Sequence, residues 1–353
     1  MIPENKQAAV KKALQSAFGV SEFENIELLT KGLSTALIFR IEVKGVPYLL
    51  RVITRTDAMG DPSYYFERMK AGADAGLAPI IHYLSVEDRI SITDFIIAQP
   101  FPLQAARAQM AEIISRLHAL PKFPFRVNYF DAMDGFIAKF RSGNAIPGEY
   151  TKELFDRYEK LREVYPRFDE ENLVSCHNDL KPENFIFDGR RPWLIDWEGA
   201  FLNDRYEDLV VVGNFVTKSE AEEKAYLQIY FGEPASEYQL ARFYLMTQMM
   251  HVFYFMFFMK TAAAEKPIDI DSIREEDFRS FHDRIWIGEI DLANTDSKIE
   301  YAWAHRRQFL ENCKSKRFEG ALRLIQKAFP LHATKPDGKV SKSHNTEPED
   351  IIN

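Results

Sequence analysis

Cysteine is nearly absent. The 353 residues hold two, Cys176 and Cys313, and neither belongs to a Cys-x-x-Cys pair, which excludes a disulfide scaffold and a structural zinc site. An excess of cations is missing too. The formal net charge is −8, the wrong sign for a surface that binds phosphate backbones, so no nucleic-acid partner is expected. No apolar run reaches the roughly twenty residues that span a bilayer. The longest, Met249 to Met259, follows Gln248, contains His251 and ends at Lys260, so it reads as a buried helix and no membrane insertion is expected. The start, Met1-Ile-Pro-Glu-Asn-Lys, has no basic stretch leading into an apolar one; no signal peptide is expected, and the cytoplasm is the expected compartment. No internal repeat is visible.

What is present is a chain long enough for two domains with a real apolar core, and one stretch dense in chemistry. Val174 to Asn214 contains His177-Asn178-Asp179-Leu180-Lys181-Pro182-Glu183-Asn184, an apolar Phe185-Ile186-Phe187, a turn through Asp188-Gly189, and Pro192-Trp-Leu-Ile195-Asp196-Trp197-Glu198. A strand, an Asp-Gly turn and a returning strand predict a hairpin that brings Asp196 back beside Asn184. Phosphoryl transfer needs this set: a carboxylate to orient or deprotonate an attacking hydroxyl, and an amide oxygen with a second carboxylate to hold magnesium. Asp179, Asn184 and Asp196 are the candidates for catalysis.

His177-x-Asp179-x4-Asn184 resembles the catalytic loop of protein kinases, and Ile195-Asp196-Trp197-Glu198 stands where they carry Asp-Phe-Gly. The middle residue of the first motif is Asn178 rather than arginine, and no Ala-Pro-Glu segment follows Asp196. Both departures point away from protein kinases. The wording, together with Asn203-Asp204-Arg205-x-x-Asp208-Leu209, resembles the choline kinases of the aminoglycoside phosphotransferase superfamily. That resemblance implies a protein-kinase-like two-lobe α+β fold, with a small antiparallel-sheet lobe over 1–97, a mainly helical lobe over 98–333, and ATP between them. Residues 334–353 are polar and are expected to form a disordered tail.

The same resemblance distributes the remaining roles. Gly32, Leu33, Ser34 and Thr35 form the small-residue turn expected to cover the phosphates; a plain hairpin is the alternative. Arg51 is a lone cation in the strand Tyr48 to Ile53 and requires a partner; Glu67, on a helix expected over 63–76, is the candidate. Asp94, Phe95 and Ile96 lead into the connector whose backbone would meet the adenine edge. Lys181 is expected to neutralise the transferring phosphoryl. The resemblance gives Glu198, with Asn184 and Asp196, to magnesium, a surface ion pair being the alternative for Glu198. Asp208 is expected to brace the catalytic loop, His118 to be satisfied in the core, and Cys176 to lie buried beneath the loop.

For the acceptor, Tyr254 and Phe257 are three residues apart on one helix face and match a Trp-x-x-Trp pair of choline kinases, while Phe281 resembles a third pocket aromatic; filling the core is the alternative for all three. The implied reaction is transfer of the γ-phosphoryl of ATP, with Mg2+, to choline or a related amino alcohol. Another small alcohol, such as an aminoglycoside, thiamine or a sugar, stays open, because Gly199 stands where that family usually has tyrosine and the apolar Leu209 to Val212 where an acidic residue is usual. A non-catalytic binding protein of kinase shape is the rival from another class, and a homodimer is left open.

Overall fold

The computed structural model describes residues 2–29, 36–55, 61–167 and 169–329. The Gly32 to Thr35 turn and the tail over 334–353 therefore lie outside the described residues. The chain forms two compact units. One comprises the residues up to Pro102 together with Ala119–Phe123 and Glu183–Ala200; the other comprises Leu103–His118, Pro124–Pro182 and the chain from Phe201 onward.

The first unit is built on a five-stranded antiparallel sheet in the order β1-β2-β3-β5-β4. Its strands are β1 (Asn25–Leu28), β2 (Ala36–Val43), β3 (Val46–Ile53), β4 (Ile81–Ser85) and β5 (Ile90–Asp94). Alternation along β2 buries Phe39, Ile41 and Val43, and helix α1 (Glu4–Phe18) sends Val10, Ala13 and Leu14 into the same core. The helix stops at Gly19, whose left-handed φ of 71° costs a glycine little.

Helix α2 (Ser63–Asp74) turns Tyr65, Phe66 and Gly72 inward. A Cβ built on Gly72 would stand 2.4 Å from the Trp197 ring, so the absence of a side chain there is what lets the helix meet the indole. The short hairpin β7 (Phe185–Phe187) and β8 (Pro192–Leu194) belongs to this unit as well. The Leu194 amide donates to the Leu77 carbonyl at 2.8 Å, the Gln99 amide donates to the Phe187 carbonyl at 2.7 Å, and Phe101 stacks on Phe187. A division at 97/98 is thus too simple: backbone pairing carries residues 98–102 and 183–200 into the N-terminal unit.

The second unit is mainly helical: α3 (Leu103–His118), α4 (Tyr129–Ser142), α5 (Lys152–Val164), α6 (Arg205–Val216), α7 (Glu220–Phe231), α8 (Glu237–Glu265), α9 (Phe278–Trp286), α10 (Thr295–Asn312) and α11 (Lys316–Ala328). A two-stranded antiparallel pair, β6 (Leu173–Cys176) with β9 (Phe201–Asp204), runs through it. Helix α8 begins at a reciprocal capping box between Ser236 and Gln239 and contains the Met249 to Met259 run. Among the described residues no helix is long and apolar enough to cross a membrane. Helix α4 was not anticipated, although Asn128 caps it and Phe130, Met133, Ile137 and Phe140 recur at helical spacing on its buried face.

Candidate active site

Strand β6 delivers the catalytic loop. Cys176 ends the strand opposite Phe201, and the next two residues, His177 and Asn178, each donate a backbone amide to the carboxylate of Asp208 at 2.8 Å. Asp208 is fully buried on α6. Burial disfavours its charge, but the bonds from His118 and the His177 amide outweigh that and hold its pKa below the ordinary value. His118 Nε2 donates to Asp208 at 3.1 Å while Nδ1 accepts from the Tyr230 hydroxyl at 2.7 Å, and burial keeps the ring neutral. The Cys176 thiol is buried beneath the loop and pushed well above its usual pKa by burial, which leaves it inert. His118, Cys176 and Asp208 lie close enough together to suggest a metal site, but their ligand atoms are already engaged with one another, with Tyr230 and with the loop backbone.

Asn178 takes the left-handed conformation, φ 63°, which asparagine tolerates better than most residues. Its side-chain oxygen accepts from Asn203 Nδ2 at 2.8 Å and its own Nδ2 donates to the Phe201 carbonyl at 3.3 Å. The residue that departs from the protein-kinase pattern is therefore a clamp between the loop and β9. Asp179 follows, partly exposed and paired with Lys181 at 3.0 Å.

Asn184 and Asp196 belong to the first unit, at the two open ends of the β7–β8 hairpin. The Ile195 amide donates to the Asn184 carbonyl at 3.1 Å, so the residues on either side of that bond are neighbours, as the strand-turn-strand pattern predicts. Asp196 sits at φ 65°, and Trp197 behind it is buried with its indole N–H donating to the Leu194 carbonyl. An amide oxygen and a carboxylate, with no sulfur or nitrogen ligand, suit a hard cation such as magnesium. The donor set fits.

Arg51 on β3 has a different partner from the one expected: it pairs with Glu198, not Glu67. Glu67 bonds Arg68 and its side chain is 79% exposed. The reason lies in helix geometry: Tyr65, Phe66 and Gly72 define the inward face of α2, and Glu67 projects from the other side. The Arg51 guanidinium also lies 5.2 Å from the Tyr65 ring centroid, and its Nε is buried without a hydrogen-bond partner among the described residues. Asp94, at the end of β5, accepts from His82 Nε2 at 2.7 Å and donates its amide to the Ile80 carbonyl; Phe95 lies under the Arg40 guanidinium, and Ile96 follows it.

On α8, Tyr254 stacks on Phe258 and Phe257 on Phe253, four rings in two rows at i, i+4 spacing. Phe281 is not part of that surface. It is fully buried with one face covered by Tyr301 at 5.3 Å, so it fills the core. Behind Tyr254 lie three buried histidines, His251, His282 and His305; burial lowers their pKa values, that of His251 to about 3.

Two features escaped sequence reasoning. Arg242 is completely buried on α8 and bonds Asp169 at 2.6 Å and Asp204 at 2.5 Å, ringed by Tyr165, Tyr206 and Tyr238. Burial works against its charge, but Asp204 more than compensates and raises its pKa. Because Asp204 ends β9 and caps α6 through the Tyr206 amide, this arginine fixes the start of the helix that carries Asp208. The other feature is Glu207, next to Asp208, whose pKa burial and acidic neighbours push well above the carboxyl range.

The sequence profile of the phosphotransferase enzyme family matches residues 25–244, more than half of the chain. Protein LicA of Haemophilus influenzae is 34% identical over 113 residues, which cover 31% of this chain and 41% of that relative, so the match spans less than half of the relative's length. Among solved structures, a choline/ethanolamine kinase family protein from Mesorhizobium loti superposes with a TM-score of 0.61 at 20% identity, over 91% of this chain and 99% of the other. The choline kinase LicA from Streptococcus pneumoniae gives a TM-score of 0.52 at 16% identity, over 86% of this chain and all of the other (100%). Those two likenesses establish a shared fold.

Proposed function

The chain belongs to the phosphotransferase enzyme family, and from that premise we propose that it transfers the γ-phosphoryl group of ATP to the hydroxyl of choline or a closely related amino alcohol. The observation that carries the reaction type is the bracing of the loop: two consecutive amides, His177 and Asn178, fixed on one buried carboxylate immediately before Asp179. A base held this firmly loses little freedom when the hydroxyl arrives. In the proposed step the acceptor oxygen attacks the γ-phosphorus, the bond from that phosphorus to the bridging oxygen breaks, ADP leaves, and the hydroxyl proton passes to Asp179. Lys181, already beside Asp179, offsets charge on the transferred group, and Arg51 contributes a planar fork to the phosphates. Magnesium, when held by Asn184 and Asp196, supplies charge neutralisation at the phosphate oxygens. Glu198 is occupied by Arg51 in this structure.

The acceptor rests on the relatives' names and on the ring patch of Tyr254 and Phe257, whose faces suit a quaternary ammonium at about 0.5 to 2 kcal/mol per well-placed ring. The burial of Phe281 removes one expected ring and favours, as a second reading, a less cationic small alcohol. ADP release measured over a panel of amino alcohols, sugars and aminoglycosides tests both: fastest turnover with choline is expected. A preference for a sugar overturns the acceptor, and no ADP release with any alcohol overturns the reaction.

Two variants refine the assignment. Tyr254→Leu keeps apolar bulk but loses the ring face, and is expected to raise the choline KM several-fold with the ATP KM unchanged; equal choline KM would remove Tyr254 from the pocket. Asp196→Ala is expected to weaken MgATP binding about tenfold or more by titration calorimetry, and parental affinity would remove Asp196 from the metal site.

A further inference from the structure

Asn203 stands on β9, opposite Val174 of β6 and outside the catalytic loop. It is 6% exposed, and both ends of its side-chain amide are engaged. The Asp204 backbone amide, which can only donate, reaches it at 2.9 Å, so the atom facing Asp204 is the oxygen. Nδ2 is thereby turned toward Asn178 and donates to its Oδ1 at 2.8 Å. With that oxygen taken, Asn178 offers its own Nδ2 to the Phe201 carbonyl at 3.3 Å. A single backbone N–H thus sets the polarity of the whole row, and each amide has one orientation that satisfies it.

The row ends on the residue that precedes the base. The Cα of Asn178 is bonded to its N, its Cβ and its carbonyl carbon. The N is held by the bond to Asp208 at 2.8 Å, and the Cβ by the two side-chain bonds to β9. With those two directions pinned, tetrahedral geometry fixes the remaining one, which is the bond that leads into Asp179. Asp208 alone would hold the loop's amides and leave the chain beyond them free to swing.

We propose that Asn203 is a positioning residue for phosphoryl transfer: acting through Asn178, it sets the direction from which Asp179 meets the acceptor hydroxyl. The assignment rests on the reaction proposed above, in which Asp179 is the base. Misplacing a reacting group by about 1 Å can cost about a hundredfold in rate, so the effect of losing the row falls on kcat.

Asn203→Ala, assayed per active site with the best acceptor of the panel, is expected to lower kcat about tenfold or more, with the KM values for ATP and acceptor unchanged. Asn178→Gly takes the left-handed backbone freely and removes the same clamp from its other side; a similar loss of kcat is expected. Adding Asn203→Ala to Asn178→Gly is expected to lower kcat no further, because one residue acts through the other. A double variant whose loss is the product of the two single losses would overturn the proposal, and so would parental kcat in either single variant. A purely structural role for Asn203 would lower the melting temperature equally in both backgrounds and leave kcat per active site alone. Should Asn203→Ala fail to fold, Asn178→Gly decides: parental kcat overturns the proposal, and a lowered kcat with parental KM values supports it. A parent protein that releases no ADP with any alcohol overturns the reaction itself, whereas turnover in the parent that survives in both variants overturns only the role of Asn203.

Discussion

Asp179→Asn is expected to lower kcat by about a hundredfold or more, with the KM for ATP near its parental value. The amide keeps the size of the side chain but cannot take the proton of the attacking hydroxyl. The fold is expected to survive, since Asp179 is 42% exposed and its pair with Lys181 is similarly exposed, a contact worth little to stability. Equal melting temperatures with a collapsed turnover would place the effect in the chemistry. Turnover within a fewfold of the parent would remove Asp179 from the mechanism.

The largest effect on stability is expected from Arg242→Met. The substitution matches much of the volume but leaves Asp169 and Asp204 facing each other's charge in a buried site without the cation that bonds both. Removing one member of a buried ionic group costs about 3 to 5 kcal/mol, and denaturant titration should show a loss of that order. Adding Asp169→Asn removes one of the two stranded charges, so the double variant is expected to lose less than the single one. A single variant as stable as the parent would show that the arginine is not a brace.

These two residues differ in how far the sequence revealed them. Asn184 and Asp196 were legible as neighbours because their relation is local: a short strand, an Asp-Gly turn and a return strand leave one way for the ends to meet. Cys176 was legible as buried because it lies directly beside the motif, and His118 as a satisfied core group from the apolar helix that carries it. Arg242 was not. Its partners lie 38 and 73 residues away in sequence, and nothing in the pattern of an apolar helix announces that one cation will meet two distant carboxylates. The partner of Arg51 was misread because a pairing borrowed by resemblance ignored which way α2 faces. Glu207 was hidden among Asp204 and Asp208, where an extra acid reads as an ordinary helix start.

The close approach of Gly72 to Trp197 also constrains how this sequence can change over time. Every codon one nucleotide away from a glycine codon that is neither glycine nor stop specifies a residue with a Cβ, and any Cβ at Gly72 meets the indole at 2.4 Å. Replacement at position 72 therefore has to wait until position 197 has become smaller. Since Trp197 directly follows Asp196, that first step would disturb the backbone that presents a proposed metal ligand. The pair is an ordered lock: its two positions can be exchanged in one sequence and not in the other, and lineages carrying both residues are expected to keep them together.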